Sequence, residues 1–412
     1  MRLFVAGVLA LCLLQIGVQA QPPDAALKAL YDSHRWFALR ETVANGVIAP
    51  APFYKAAVET AFHQDERAKI GLEQYIASHP ALDMLVEARE LLLGMEFRSA
   101  HYQDALLQAQ QILAIKPAAK DVANFLPTLN VLGPFVRQTV VSREASTVRF
   151  ELVDQNLVLP VAIDGSTVNY ILDNGFSLSG MTESEAKRLK LSVHTVSTVI
   201  DTMSGAPVNI RIAVVHDLVV GRVHLRNVAF YVLPDDHPPF NQRAPGHRGI
   251  LGLQVVLALG HFAWQPASRT FRIFSSSSEG PAPGANLAFD GSSIFTQLIF
   301  RGRTLDVNLD LGAQNTILYS SFAKQFPDIQ KRSTREQHRV TGVGGSASIK
   351  SFTLPSLSFR LSGVDLAFKP ATVLLEENNS TSAWFKGNLG MDLLNQARSV
   401  DVDFGSMTLR LK

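Results

Sequence analysis

The sequence predicts an α-helical domain followed by a mainly β, two-lobed domain made by internal duplication. Three observations point there. Apolar residues recur at helical spacing from Asp24 to about Leu126. After Ser146 the pattern changes to short strand-like runs separated by turn signals. Those runs fill two stretches of matched length, Thr147–Ser275 with 129 residues and Ala285–Lys412 with 128, which carry the same landmarks in the same order. Hydrophobic residues make up 47% and charged residues 18% of 412, which supports a sizeable core and excludes wholesale disorder. Lys+Arg 38 against Asp+Glu 36 gives a net charge of +2, which argues against a nucleic-acid-binding surface.

The first twenty residues read as an export signal. Arg2 is a short basic region, and Leu3 to Leu14 is almost wholly apolar yet too short to span a bilayer. Val18-Gln19-Ala20 puts short side chains where a signal peptidase reads, so residues 1–20 are expected to be a signal peptide cleaved before Gln21. A retained membrane anchor is the alternative; Leu11 before Cys12 argues against a lipoprotein. Cys12 is the single cysteine, so the mature chain has no thiol. That excludes disulfides, cysteine nucleophiles, Fe–S clusters and Cys-ligated zinc. No later run reaches about 18 apolar residues, so stable membrane insertion is not expected and the location is periplasmic or secreted.

Residues 21–126 form the helical domain. Ala105, Leu106, Ala109, Ile112 and Leu113 recur at three- and four-residue spacing, and Pro117 ends that run. Ala88 to Pro117 resembles one tetratricopeptide helix pair, with Tyr102, Ala105 and Pro117 at that repeat's spacing and Gly94 near it. A plain helical domain fits the same residues. Either can recruit a protein partner.

The strand region divides into a first lobe over 147–275, a linker over 276–284 and a second lobe over 285–412. Strands are predicted at Leu157–Ile163, Thr167–Leu172, Asn209–Val215, Val228–Leu233 and Phe271–Phe274, and Ser275 to Gly284 has linker composition. A turn at Asp164-Gly165 leads through a strand to Asp173-Asn174-Gly175. A turn at Arg301-Gly302 leads likewise to Asp310-Leu311-Gly312, and each glycine lies 8 residues before its Asp. Thr182-x-x-Glu185 is expected to form a capping box for a helix over Ala186–Leu191, and Ser320 or Ser321 to cap Phe322–Phe326. Gly249-Ile250-Leu251-Gly252 pairs with Gly387-Asn388-Leu389-Gly390, at 79 and 80 residues from each Asp to the last glycine. Thr270–Ile273 pairs with Thr408–Leu411.

At these residues the chain resembles the aspartic proteases of the pepsin and retropepsin type. The pattern is apolar-apolar-Asp-x-Gly on a strand exit, a hairpin flap, then apolar-apolar-Gly well downstream; the resemblance covers roughly residues 147 to 412 and implies an aspartic-protease-like fold. It implies that Asp173 and Asp310 are the catalytic pair of an endopeptidase, one from each lobe, so that a monomer holds the whole site. It implies a peptide or protein substrate bound against Gly175 and Gly312, under flaps at Thr202-Met203-Ser204-Gly205 and Thr341-Gly342-Val343-Gly344-Gly345. Met203, Gly205, Gly344 and Gly345 are the flap positions expected to meet substrate. Two carboxyls about 3 Å apart cannot both ionise, so they share one proton; one then activates a water while the other polarises the scissile carbonyl. The family places Thr or Ser between Asp and Gly, where hydroxyls brace the two loops. Here Asn174 and Leu311 occupy those positions, which leaves Asn174 as the one polar brace and puts Leu311 at the interface between lobes. The rival reading is a catalytically silent pepsin-like peptide-binding module.

Other chemistries find no pattern. The sequence has no His-Glu-x-x-His, no Gly-x-Ser-x-Gly and no phosphate loop, so no metal and no cofactor are expected. Asp235-Asp236-His237 precedes Pro238-Pro239 and reads as a solvated loop, His216 and His224 as surface strand, and Trp36, Trp264 and Trp384 as core or rim packing.

Overall fold

The computed structural model describes residues 23–45, 52–200, 208–236, 240–332, 334–342, 345–376 and 384–412; the expected signal peptide lies outside them. Seven helices come first: α1 (Pro23–Asp32), α2 (Trp36–Ala44), α3 (Pro52–Ala61), α4 (Asp65–Ala77), α5 (Leu82–Arg98), α6 (Tyr102–Ile115) and α7 (Lys120–Leu132). Tyr102, Ala105, Ala109 and Ile112 form the buried stripe of α6. The helical region passes the end expected near Leu126, because α7 runs through Pro127. An interior proline costs about 3 kcal/mol, but Leu129 and Leu132 extend the buried stripe beyond it and outweigh the loss.

The first half of the strand region contains β1 (Thr139–Arg143), β2 (Ser146–Arg149), β3 (Glu151–Val153), β4 (Asn156–Ile163), β5 (Ser166–Leu172), β6 (Ser179–Thr182), α8 (Glu183–Arg188), β7 (Val193–Ile200), β8 (Val208–Val220), β9 (Val223–Leu233), β10 (Gly249–Leu251), α9 (Leu253–Leu259), β11 (His261–Gln265) and β12 (Thr270–Ile273). Its sheet runs β1-β9-β6-β10-β5-β4-β8-β7, and because β8 also pairs with β9 the path closes on itself. The second half contains β13 (Leu287–Asp290), β14 (Ser293–Phe300), β15 (Arg303–Leu309), β16 (Ile317–Leu318), α10 (Ser320–Gln325), β17 (Thr334–Gly342), β18 (Gly345–Leu354), β19 (Leu357–Leu361), β20 (Val364–Phe368), β21 (Ala371–Leu374), β22 (Gly387–Leu389), α11 (Met391–Leu394), β23 (Val400–Asp403) and β24 (Thr408–Leu411).

The two sheets share one connectivity. In the first, β10 lies between parallel β5 and antiparallel β6; in the second, β22 lies between parallel β15 and antiparallel β16. The hairpin before each Asp closes on a two-residue turn at positive φ, Asp164-Gly165 at 44° and 80° and Arg301-Gly302 at 49° and 75°. Where β8 and β9 are continuous, the second half is cut into β18 to β21, because Pro355 and Pro370 lack the N–H a ladder needs. The matching ends, β12 and β24, do not stay in separate sheets. They join a shared five-stranded sheet, β2-β12-β11-β23-β24, to which both halves contribute.

Two local expectations are corrected, and the linker is anchored. The helix after Thr182 starts at Glu183, and only half of the capping box forms: Thr182 Oγ1 accepts from Glu185 N–H at 3.3 Å. The Glu185 carboxylate is drawn off by Arg188, Tyr170 Oη–H and Gly246 N–H. Neither Ser320 nor Ser321 caps α10; Tyr319 is its N-cap, and Ser321 Oγ–H donates to Phe385 O at 2.5 Å. The stretch with linker composition is stitched down: Ser278 Oγ–H donates to Asp403 Oδ2 at 2.6 Å and Ala282 N–H to Ser406 O at 2.9 Å.

The helices dock on both halves. On the first, Tyr102 Oη–H donates to Gln254 Oε1 at 2.6 Å while Gln254 Nε2–H donates to Phe97 O at 2.6 Å. On the second, Phe37 meets Phe295 edge to face, and the Arg98 guanidinium sits 4.4 Å from the centre of the Phe289 ring. Arg98 is buried and donates to Asp65 Oδ1 and Thr60 O, both at 2.7 Å. It is therefore the charge on which the helix-to-sheet contact turns. Arg98→Ala is expected to destabilise the protein by about 3 kcal/mol, since removing one partner strands the Asp65 carboxylate; a denaturant midpoint equal to wild type would contradict this.

Candidate active site

Asp173 and Asp310 each leave the end of a core strand, β5 and β15. Each backbone N–H is fixed by the strand beside it: Asp173 N–H donates to Leu251 O at 3.0 Å and Asp310 N–H to Leu389 O at 3.1 Å. The apolar-apolar-Gly segments thus hold the aspartates at the height where the two loops meet. Each loop then curls over its own carboxylate. Gly175 N–H donates to Asp173 Oδ1 at 2.8 Å, and Gly312 and Ala313 N–H donate to Asp310 Oδ1 at 2.9 and 3.0 Å.

The structure brings the two aspartates together across the glycines. A Cβ on Gly312 would lie 2.1 Å from Asp173 Cγ, inside any tolerable contact. A Cβ on Gly175 would lie 3.0 Å from Asp173 Oδ1 and 3.2 Å from Asp310 Oδ1, so oxygens of both carboxyls converge on one point. Only glycine permits that approach.

Asn174 joins the loops. It is 3% exposed; its Nδ2–H donates to Leu309 O at 2.7 Å and its Oδ1 accepts from Leu311 N–H at 2.8 Å. One amide therefore supplies both a donor and an acceptor to the opposite loop, where a hydroxyl from each side would divide the task. Leu311 is 2% exposed within the core. Asn174 is not the only polar brace, which corrects the expectation from sequence. Asn156 Nδ2–H donates across to Gly312 O at 2.8 Å, reaching from β4.

The electrostatics follow from the crowding. Burial, and then the charge of Asp310, push the Asp173 carboxyl up to about 7, with the N–H groups of Gly175 and Phe176 pulling the other way. Burial also raises Asp310, opposed by the Asn388 amide and by the N–H groups of Gly312 and Ala313.

The remaining positions expected at the site are distributed as follows. Met203, Gly205 and Gly344 lie outside the described residues. The strands that carry the expected flaps form hairpins: β7 with β8, pairing Ile200 with Val208, and β17 with β18, pairing Gly342 with Gly345. Asp235, in the stretch read as a solvated loop, is engaged by Ser184 and Arg248.

Sequence reasoning missed four contributors besides Asn156. Ser179 Oγ accepts from Gly252 N–H at 3.1 Å, and Thr316 Oγ1 accepts from Gly390 N–H at 3.0 Å. Both hydroxyls lie six residues after their Asp, so superposing the halves at the offset that matches Asp173 to Asp310 would have found them. Asn308 stands at the same offset from Ile171, and Asn388 is the counterpart of Ile250 one position further on, since the second half has one more residue between its Asp and its last glycine.

Residues 159–255 match the family described as Aspartyl protease, a stretch that runs from β4 through Asp173 and Gly252 into α9. Among solved structures, the chain is similar to a retropepsin-like aspartic protease from Rickettsia conorii at 12% identity and a TM-score of 0.23, over 34% of this chain and 94% of that one. No curated protein matches. The chain carries an aspartic-protease-like domain.

Two stability predictions follow from the loop junction. Asn174→Leu strands the buried Leu309 carbonyl and Leu311 N–H together and is expected to cost about 2–4 kcal/mol, read from the denaturant midpoint. Asp173 has a folded pKa raised above its unfolded value. Its contribution is therefore complete below the unfolded pKa and is lost as pH rises through about 7. Asp173→Asn, which stays neutral, is expected to match wild type near about pH 4 and to exceed it in thermal midpoint near about pH 8. A gap that narrows with rising pH would refute this account of the site.

Proposed function

We propose that the protein is an exported aspartic endopeptidase with two pepsin-like lobes, in which Asp173 and Asp310 activate a water for peptide-bond hydrolysis. The observation that carries this reading is the convergence of oxygens from both carboxyls above the facing glycines of one loop junction. Two carboxyls that crowd each other retain one proton between them, which provides a base and an acid at a single centre. The base takes a proton from water as the water attacks the scissile carbonyl, and the acid donates toward the carbonyl oxygen. The tetrahedral intermediate then collapses: the carboxyl that took the water's proton passes it to the amide nitrogen, the hydroxyl formed from the carbonyl returns its proton to the other carboxylate, and the C–N bond breaks. No covalent enzyme intermediate is needed.

The shared connectivity of the two sheets and the five-stranded sheet to which both contribute support the two-lobed reading. The apolar leader Leu3–Leu14 supports export. Among the described residues no helix is long and apolar enough to cross a membrane. Because one chain supplies both aspartates, a monomer suffices. The β7–β8 and β17–β18 hairpins carry the segments read as flaps, and on this reading they cover a bound peptide.

The test is turnover of a fluorogenic peptide library by the purified protein. Asp173→Asn and Asp310→Asn are each expected to lower turnover by about a thousandfold or more, and a chelator to leave it unchanged. Turnover is expected to fall as pH rises past about 7, where Asp173 gives up the proton. Wild-type rates in both single variants would sink the dyad. An inert wild type that still binds peptide would leave a silent binding module instead.

A further inference from the structure

The two sides of the aspartate pair are not equivalent. In the first sheet Ile171, two residues before Asp173, pairs with Ile250, and both are buried. In the second sheet the matching pair is Asn308 with Asn388. An apolar pair beside one aspartate is thus replaced by an amide pair beside the other. The amides are directed. Asn308 Nδ2–H donates to Asn388 Oδ1 at 2.6 Å, and Asn388 Nδ2–H donates to Asp310 Oδ2 at 2.9 Å. The first bond occupies the Asn388 oxygen and so turns its NH2 toward the carboxylate.

Asp310 consequently accepts on both oxygens, from Gly312 and Ala313 on Oδ1 and from Asn388 on Oδ2. Among the described residues, Asp173 receives backbone donors alone, the N–H groups of Gly175 and Phe176. Donors to a carboxylate favour its ionised form. We infer that Asn308 and Asn388 are positioning residues that settle which aspartate holds the single proton: Asp310 stays ionised as the base toward water, and Asp173 keeps the proton as the acid toward the carbonyl. The inference rests on reading the two aspartates as an acid–base pair.

Among the described residues, the charge that acts on Asp173 is that of Asp310. Asp173 is the ionisable group facing Asp310 from the first sheet. Leu311, Gly312, Ala313, Asn308 and Asn388 around it on the second are uncharged; Asp306 is engaged by Gln297 and Asp392 by Thr316.

The experiment is a carboxyl titration of the purified protein labelled with [13Cγ]aspartate, with the two resonances assigned from Asp173→Asn and Asp310→Asn. Interacting carboxyls titrate in two shared steps, so the share of each resonance in each step reports where the proton sits. In wild type, Asp310 is expected to take most of the low-pH step and Asp173 most of the high-pH step. The double variant Asn308→Ile with Asn388→Ile reproduces the apolar pair of the first sheet. It is expected to raise the Asp310 midpoint by about one unit or more and to spread the low-pH step over both resonances. An unchanged order and unchanged midpoints in the double variant would overturn the inference. So would a wild type in which Asp173 titrates first, a result that decides the matter even if the variant does not fold. Titration needs no turnover. An inert protein with the expected order would defeat the peptidase reading alone, and an active one with the reversed order would defeat the proton assignment alone.

Discussion

Two strand exits must be held so close that two carboxyl groups share one small space, and the Asn174 amide is the interaction on which that depends. Left alone, Asp173 and Asp310 would separate the loops that carry them, because each carboxyl loses hydration when it is buried beside the other. Asn174 opposes this with a donor to Leu309 O and an acceptor for Leu311 N–H. Those are the backbone groups flanking Asp310, so the amide clamps the peptide units on both sides of that residue. Asn156 ties the next carbonyl, that of Gly312. Three successive points of the second loop are thereby fixed from the first half. The Leu311 side chain is buried in the core, so the junction combines directed polar ties with apolar burial.

That clamp would be of little use if the strands beneath it could slide. Ser179 and Thr316 prevent this by accepting the N–H groups of Gly252 and Gly390, which follow the segments that bind the Asp N–H groups. Farther out, the five-stranded sheet draws strands from both halves, and the helical region grips one half through Gln254 and the other through Phe289 and Phe295. Restraint is therefore layered, from the loop amide to the shared sheet to the docked helices. Each layer limits the freedom that the one inside it would otherwise have to resist.

Much of this was legible in the sequence, for identifiable reasons. The duplicated Asp-x-Gly, the two-residue turns and the downstream glycines are local signals whose spacing survives in the fold. Contacts between residues far apart in sequence were not legible. Nothing near Asn156 announces that it reaches Gly312, and Asn174 reads as polar without revealing where its two ends go. Arg98 is misleading by residue type, since an arginine on a helix ordinarily faces water, whereas this one is buried against Asp65 and Phe289. The capping signals failed because a stronger partner was nearby: Glu185 is taken by Arg188 and Tyr170, and Ser321 by the Phe385 carbonyl.

The departures from a symmetric pair of loops give each half its own part. Asn174 stands opposite Leu311, and Ile171 with Ile250 hold in the first sheet the place that Asn308 with Asn388 hold in the second; in each case a group that symmetry would repeat is present on one side and replaced on the other. In a symmetric dimer any change in one loop recurs in its partner, so neither aspartate can be given an environment of its own. A single chain with two halves has no such constraint. A centre that holds one proton between two carboxyls is itself asymmetric whenever it acts, because one group must be acid while the other is base. On the proposed reading, two halves in one chain allow the scaffold to adopt that asymmetry before substrate arrives. The brace can then come from the first half and the amide donors to Asp310 from the second.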